Sequence, residues 1–213
     1  MMCLIITRGQ KMLNKFILIA LMGVSASAMA GPWQVKVAGS LVAPSGSTTV
    51  NDIKVEADYQ YAFTPSVEYF FTDNISAELL LANPLKHDIK ADKGLGVVGS
   101  IKQLPPTLTA KYNFTNLGAF TPYVGVGVTG FFAWDAKGDV VKKVKNTAGV
   151  AGQLGVNFKP ADAKNWGVFL DVRYADLDPK VELTDAGARV LATDRFKLSL
   201  DPVVYTLGYS YRF

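Results

Sequence analysis

Apolar and polar residues alternate along most of this chain. In residues 203–213, Val203, Tyr205, Leu207, Tyr209, Tyr211 and Phe213 share one parity, while Val204, Thr206, Gly208, Ser210 and Arg212 share the other. A strand sends successive side chains to opposite faces, so one face of this segment is apolar and aromatic and the other small and polar. The same period of two predicts seven further strands. They are residues 33–42, a strand ending at Phe71, 75–83, 107–114, 123–134, 148–159 and 166–175. On the apolar side fall Trp33, Val35, Val37 and Leu41, then Phe63, Val67, Tyr69 and Phe71, and later Val124, Val126, Val128 and Phe132. Their polar faces carry Thr64, Ser66, Glu68, Ser76, Glu78, Thr109, Lys111, Gln153, Asp171 and Arg173.

The connections alternate in length. Residues 72–74, 115–122 and 160–165 are short links, whereas 84–106, 135–146 and the segment before the last strand are long. A soluble sandwich strand can alternate in the same way, but lipid cannot satisfy an open sheet edge, so a membrane protein built from these strands is a closed barrel. Eight is an even strand number and the smallest size for such bacterial barrels, which keep short turns in the periplasm and long loops outside. Starting from the periplasm, the links after strands one, three, five and seven must be the long ones, and they are. The fold expected is therefore all-β, an eight-stranded antiparallel transmembrane β-barrel over residues 31–213. The aromatic last strand, closing on Phe213, is similar to the C-terminal strand of outer-membrane barrels. That likeness implies that Tyr209, Tyr211 and Phe213 form the assembly signal read by the barrel assembly machinery.

The other end of the chain fits export. Lys11 and Lys15 precede an apolar run at 16–24, followed by Ala28-Met29-Ala30. This is the pattern of a signal peptide, expected at residues 1–30 with cleavage after Ala30. The run is too short to span a bilayer. Met1, Met2 and Met12 are all possible starts. The whole sequence holds 22 Lys and Arg against 18 Asp and Glu. Arg8, Lys11 and Lys15 leave with the leader, as does the only cysteine, Cys3. The mature chain is close to neutral, so its charge gives no reason to expect nucleic acid as a partner. It has no disulfide framework.

Candidate chemistry is sparse. His87 is the sole histidine. It adjoins Asp88, but no nucleophile motif accompanies it, so no catalytic residue and no enzyme activity are expected. One histidine without cysteine makes no recognisable zinc site, and no cofactor or metal is expected. Asp176 with Asp178, or Asp135 with Asp139, could attract calcium, though loop acids are ordinarily solvated. Lys137, Lys142, Lys143 and Lys145 are placed to meet lipopolysaccharide phosphates or simply water. Gly125 and Gly127 are expected to thin the interior of strand five.

The block Tyr69-Phe70-Phe71-Thr72-Asp73-Asn74-Ile75, then Ala77-Glu78-Leu79, then Asn83-Pro84-Leu85-Lys86-His87-Asp88-Ile89, resembles the OmpW family of bacterial outer-membrane proteins. Pro84 and His87, in a Pro-x-x-His sequence, carry the most specific part of the likeness. The resemblance implies a Gram-negative outer-membrane barrel that passively admits small hydrophobic molecules and releases them sideways into the membrane. Its other partners would be outer-membrane lipid and lipopolysaccharide. The alternative is a structural or receptor barrel that binds partners through its loops and transports nothing. The permeant and the oligomeric state stay open.

Small barrels have interiors filled by side chains. Parity puts Lys36, Glu68, Glu78, Lys111, Asp171, Arg173 and Arg212 inside. Mixed charges in a narrow lumen are expected to pair as a polar plug, because an unpaired buried charge is costly. Such a plug stabilises the barrel whether or not it also closes it. With the floor closed, the wall is the remaining exit. Proline cannot donate to a ladder. Pro65 and Pro202 are therefore expected to weaken adjacent strands and open the wall, while Pro44 marks a strand end.

Overall fold

The structure is a computed structural model that describes residues 32–92, 94 and 96–213. The expected leader lies outside the described residues. The barrel wall is built from β1 (Trp33–Pro44), β4 (Gln60–Phe63) with β5 (Ser66–Phe70), β6 (Ile75–Leu80), β9 (Thr107–Asn113), β10 (Phe120–Lys137), β12 (Thr147–Phe158), β13 (Trp166–Ala175) and β16 (Pro202–Arg212). All pairings are antiparallel. β4 and β5 act as one strand, so these are the eight expected from the sequence. Pairing of β1 with β16 and of β10 with β12 closes the barrel. The β1–β16 seam runs unbroken from Gln34↔Arg212 to Pro44↔Pro202. Below it, the Phe213 N–H donates to the Trp33 carbonyl at 3.0 Å.

Alternation sets what each face meets. Val124, Val126, Val128, Leu154, Leu170 and Leu207 are exposed on the outside, where lipid covers them. Aromatic pairs ring the short-turn end: Trp33 with Tyr69, Tyr112 with Phe114, Phe120 with Phe158, Trp166 with Tyr209, and Tyr211 with Phe213. Such a belt suits the headgroup level, where a ring can be half apolar and half wet.

The long links differ from the expectation of plain loops. The first holds β2 (Thr48–Val50) and β3 (Ile53–Ala57), joined through Asn51 and Asp52 with φ of 47° and 63°. Two consecutive left-handed residues make the turn that matches strand twist. The second is a hairpin of β7 (Leu85–Ala91) and β8 (Gly96–Leu104), and β8 extends the wall along the top of β10. The third and fourth share a small sheet of β11 (Val141–Val144), β14 (Lys180–Leu183) and β15 (Arg195–Lys197), with a helix α1 (Asp185–Leu191) capped by Thr184. Together they enclose an apolar core that includes Val55, Ile89, Ile101, Phe131, Val181 and Leu198. The lumen is thus polar within the membrane zone and apolar above it. These segments carry the same two-residue period as the wall, as Leu85, Ile89 and Ala91 illustrate. Their glycine, proline and charge content masked it.

Candidate functional site

Six of the seven expected plug residues meet inside the barrel. Lys36, Glu68, Glu78, Lys111, Asp171 and Arg173 are each no more than 4% exposed. Register explains the arrangement. Glu68 on β5 lies directly opposite Glu78 on β6, and both face the lumen. Like charges across a sheet repel. Lys36 from β1 and Lys111 from β9 come from the two flanking strands and neutralise them. The Lys36 ammonium is 2.5 Å from Glu68 and 3.4 Å from Glu78. The Lys111 ammonium is 3.0 Å from each. Ser66 donates to Glu78 at 2.7 Å, and Ser76 donates to Glu68. Gly125 leaves room for this cluster, since a Cβ there would come within 2.8 Å of Gln153 and 3.1 Å of Lys111.

Tyr123 was not singled out by the sequence, yet it is fully buried in the plug. Its hydroxyl donates to Asp171 at 2.9 Å, and the Lys111 ammonium sits 3.8 Å from its ring centre. Its parity, at the start of a strand whose even-numbered residues face lipid, was the available signal. Gln153 also reaches Glu78, at 3.4 Å.

Arg212 corrects the expectation. It has inward parity, but it lies at the short-turn mouth with its side chain 43% exposed. There it contacts Asp73 at 3.4 Å and stacks 4.1 Å from the Phe70 ring. A strand's last inward residue has no further turn of barrel to enclose it. Tyr209, Tyr211 and Phe213 fall on the outer aromatic belt.

The plug divides the lumen. Beneath it lies a vestibule of about 390 Å3 whose lining includes Gln34, Asn113, Asn157 and Arg212. Above it lies a narrower apolar cavity of about 60 Å3, lined among others by Val42, Leu80, Leu85, Ile101, Leu177 and Leu198. Arg173 and Gln103 bring polar atoms to the same cavity.

Pro65 and Pro202 do not interrupt the wall. Lys36↔Ser66 and Gly39↔Phe63 keep one register across Pro65, and Thr64 donates to Ala38 at 2.9 Å beside it. Pro202 pairs with Pro44 at the top of the seam. A proline removes one donor, and a continuous neighbour on each side tolerates that loss. The irregularity lies one strand further round. Among the described residues β4 forms a strand ladder with β1 alone, while β7 pairs with β3 and β8. On both strands the inward parity flips at this level. Tyr61 and Phe63 are exposed but Val55 is buried; Leu79 and Asn83 are exposed but Leu85 and Ile89 are buried. Pro84 stands at the flip on one strand and Tyr59 near it on the other. Asn83 closes the base of the gap: its N–H donates to the Phe63 carbonyl at 3.0 Å, and its side-chain oxygen accepts from the Phe63 N–H at 2.8 Å. His87 pairs with Ile101 through the backbone just above.

The loop charges are less organised. Asp176 and Asp178 are joined by Asp201, with carboxylate oxygens within 4.8 Å of one another. Asp201 already accepts from the Leu177 N–H at 3.2 Å. Lys145 pairs with Glu182 at 2.8 Å, and Lys142 and Lys143 are exposed.

The sequence profile of the OmpW family matches residues 28–213. Outer membrane protein W of Escherichia coli is 34% identical over 155 residues, covering 68% of this chain and 69% of that protein. The outer-membrane protein y4mB of Sinorhizobium fredii is 36% identical over 189 residues, covering 85% of this chain and 80% of that protein. The crystal structure of OprG from Pseudomonas aeruginosa superposes with a TM-score of 0.75 at 27% identity, covering 87% of this chain and 97% of that one. With its eight-stranded barrel, aromatic belt and charge-filled lumen, this chain is an outer-membrane protein and belongs to the OmpW family.

Proposed function

We propose that the barrel is a passive conduit, not an enzyme, that takes small hydrophobic molecules from outside and releases them through its wall into the outer membrane. The observation that carries this reading is the apolar cavity standing on the charged plug, beside a stretch of wall where, among the described residues, β4 has no ladder pairing on its β7 side. Leu80, Ala82, Leu85 and Ala57 line the cavity at that stretch. An apolar solute gains nothing by entering a layer of paired charges, whereas lipid across an unpaired wall receives it without desolvation cost. Downward passage would also require breaking the Lys36–Glu68 and Lys111–Glu78 contacts. The exit is thus assigned to the β4–β7 gap above Asn83 and not to Pro65 and Pro202.

The test is uptake of a neutral hydrophobic fluorophore by cells with and without the protein, with a membrane-impermeant hydrophilic dye as control. Faster entry of the first alone supports the conduit. Faster entry of neither removes it in favour of a structural barrel, and faster entry of both removes it in favour of an unselective pore.

A further inference from the structure

One cation in the lumen is poorly served. Arg173 is 4% exposed, and its Nε and Nη1 groups have no hydrogen-bond partner. Among the described residues the carboxylates within ion-pair distance of it are Asp171 at 3.5 Å and Glu78 at 3.9 Å. Both are engaged elsewhere: Asp171 accepts from Tyr123 at 2.9 Å, and Glu78 takes Lys111 at 3.0 Å and Ser66 at 2.7 Å. The Lys36, Lys111, Glu68 and Glu78 cluster is balanced without it. Guanidinium is always charged, and a buried charge with idle donors is costly unless something accepts from them.

Arg173 is among the residues lining the apolar cavity, and a rotation of its guanidinium would turn the idle donors into it. Gln103 lines the same cavity and is 5% exposed, and its Oε1 also has no partner. Turned over, that amide offers N–H in place of oxygen. The site therefore pairs greasy walls with a cationic, donor-bearing floor. Its volume of about 60 Å3 admits roughly four to six groups of water size, at about 10–15 Å3 each.

We propose that this cavity binds short aliphatic carboxylates, with Arg173 as the headgroup anchor. The carboxylate accepts from the free Arg173 donors, and charge-assisted bonds of this kind are about twice as strong as neutral ones. The alkyl chain lies upward among Leu85, Ile101, Leu177 and Leu198. The inference rests on the conduit reading for its biological meaning, but the binding site stands or falls separately. It adds acid-headed aliphatic solutes to the neutral hydrophobes that the conduit reading admits.

The experiment uses the full barrel in nanodiscs with 15N-labelled arginine and titrates butyrate at neutral pH. The probe signal is the Arg173 Nε–H resonance, assigned by its loss in Arg173→Lys. Expected are a saturable shift with butyrate and at least tenfold weaker binding of 1-butanol and butylamine. Arg173→Lys keeps the charge but loses the fork, and its butyrate binding should fall at least tenfold by calorimetry. If that variant does not fold, calorimetry of the three ligands on the parent protein, which needs no assignment, decides alone. No shift with butyrate, or equal binding of butanol, overturns the proposal. Failed butyrate binding with normal uptake of the neutral fluorophore removes this proposal only. Butyrate binding without fluorophore uptake upholds the site and removes the conduit.

Discussion

Asn83 holds Phe63 by both its backbone and its side chain. The backbone N–H of Asn83 donates to the Phe63 carbonyl at 3.0 Å, and its side-chain oxygen takes the Phe63 N–H at 2.8 Å. An ordinary ladder pair would use the Asn83 carbonyl for that second bond. The substitution marks where β6 begins to leave β4. Asn83→Ala removes the side-chain acceptor and should cost about 1 kcal/mol. The barrel should still assemble, and uptake of a hydrophobic fluorophore into vesicles should rise severalfold. Pro65→Thr and Pro202→Thr should leave that uptake unchanged. Slower uptake in the proline variants, with Asn83→Ala at the parent rate, would move the exit back to the prolines.

The plug makes a separate prediction. Lys111→Met leaves Glu68 and Glu78 facing one another with one lysine between them. Breaking a buried ion pair from one side costs about 3–5 kcal/mol. The unfolding midpoint in detergent should drop accordingly, and ion conductance in planar bilayers should rise without faster hydrophobic uptake. Unaltered stability and conductance together would show that the plug neither supports nor seals the barrel.

Assembly should depend on Phe213 more than on Arg212. Phe213 completes the seam through Trp33 and packs edge-on against Tyr211 at 5.1 Å. Arg212 makes a solvent-exposed pair with Asp73, a kind of contact worth about 0–1 kcal/mol. Deleting Phe213 should lower the amount of heat-modifiable barrel in the outer membrane, and Arg212→Ala should hardly change it. Equal levels of the two variants would refute the assembly role.

The loop sheet should loosen in acid. A hydrogen bond from Lys145 holds the Glu182 carboxyl below its ordinary value. A group with a depressed folded pKa adds stability above its unfolded value, about 4.3, and loses it as pH falls through the folded one. Amide-exchange protection of Lys145, whose N–H bonds the Lys180 carbonyl at 2.8 Å, should therefore decline below about pH 4. In Lys145→Ala that decline should flatten. An identical profile in both proteins would show that the pair contributes nothing.

Strand number, facing and order were legible in the sequence because a membrane barrel imposes one rule on every wall residue. Odd and even positions must meet lipid and lumen in turn. That rule placed Val124 outside and Lys111 inside without reference to any neighbour. It also identified Glu68, Glu78 and Lys36 as inward charges, and the pairing rule for buried charges joined them. Parity, however, is local. It cannot say how far along the axis a residue lies, so it put Arg212 in the plug when the strand end carries it to the mouth. Nor can it say which strands stay bonded. The gap beside β4 arises where two strands flip facing at one level, through Tyr59 and Pro84, and only their spatial meeting turns two local bends into one break. The apolar core of the loops and the idle donors of Arg173 have the same origin. Each depends on which side chains separate links and separate strands bring together, and no single stretch of sequence holds that information.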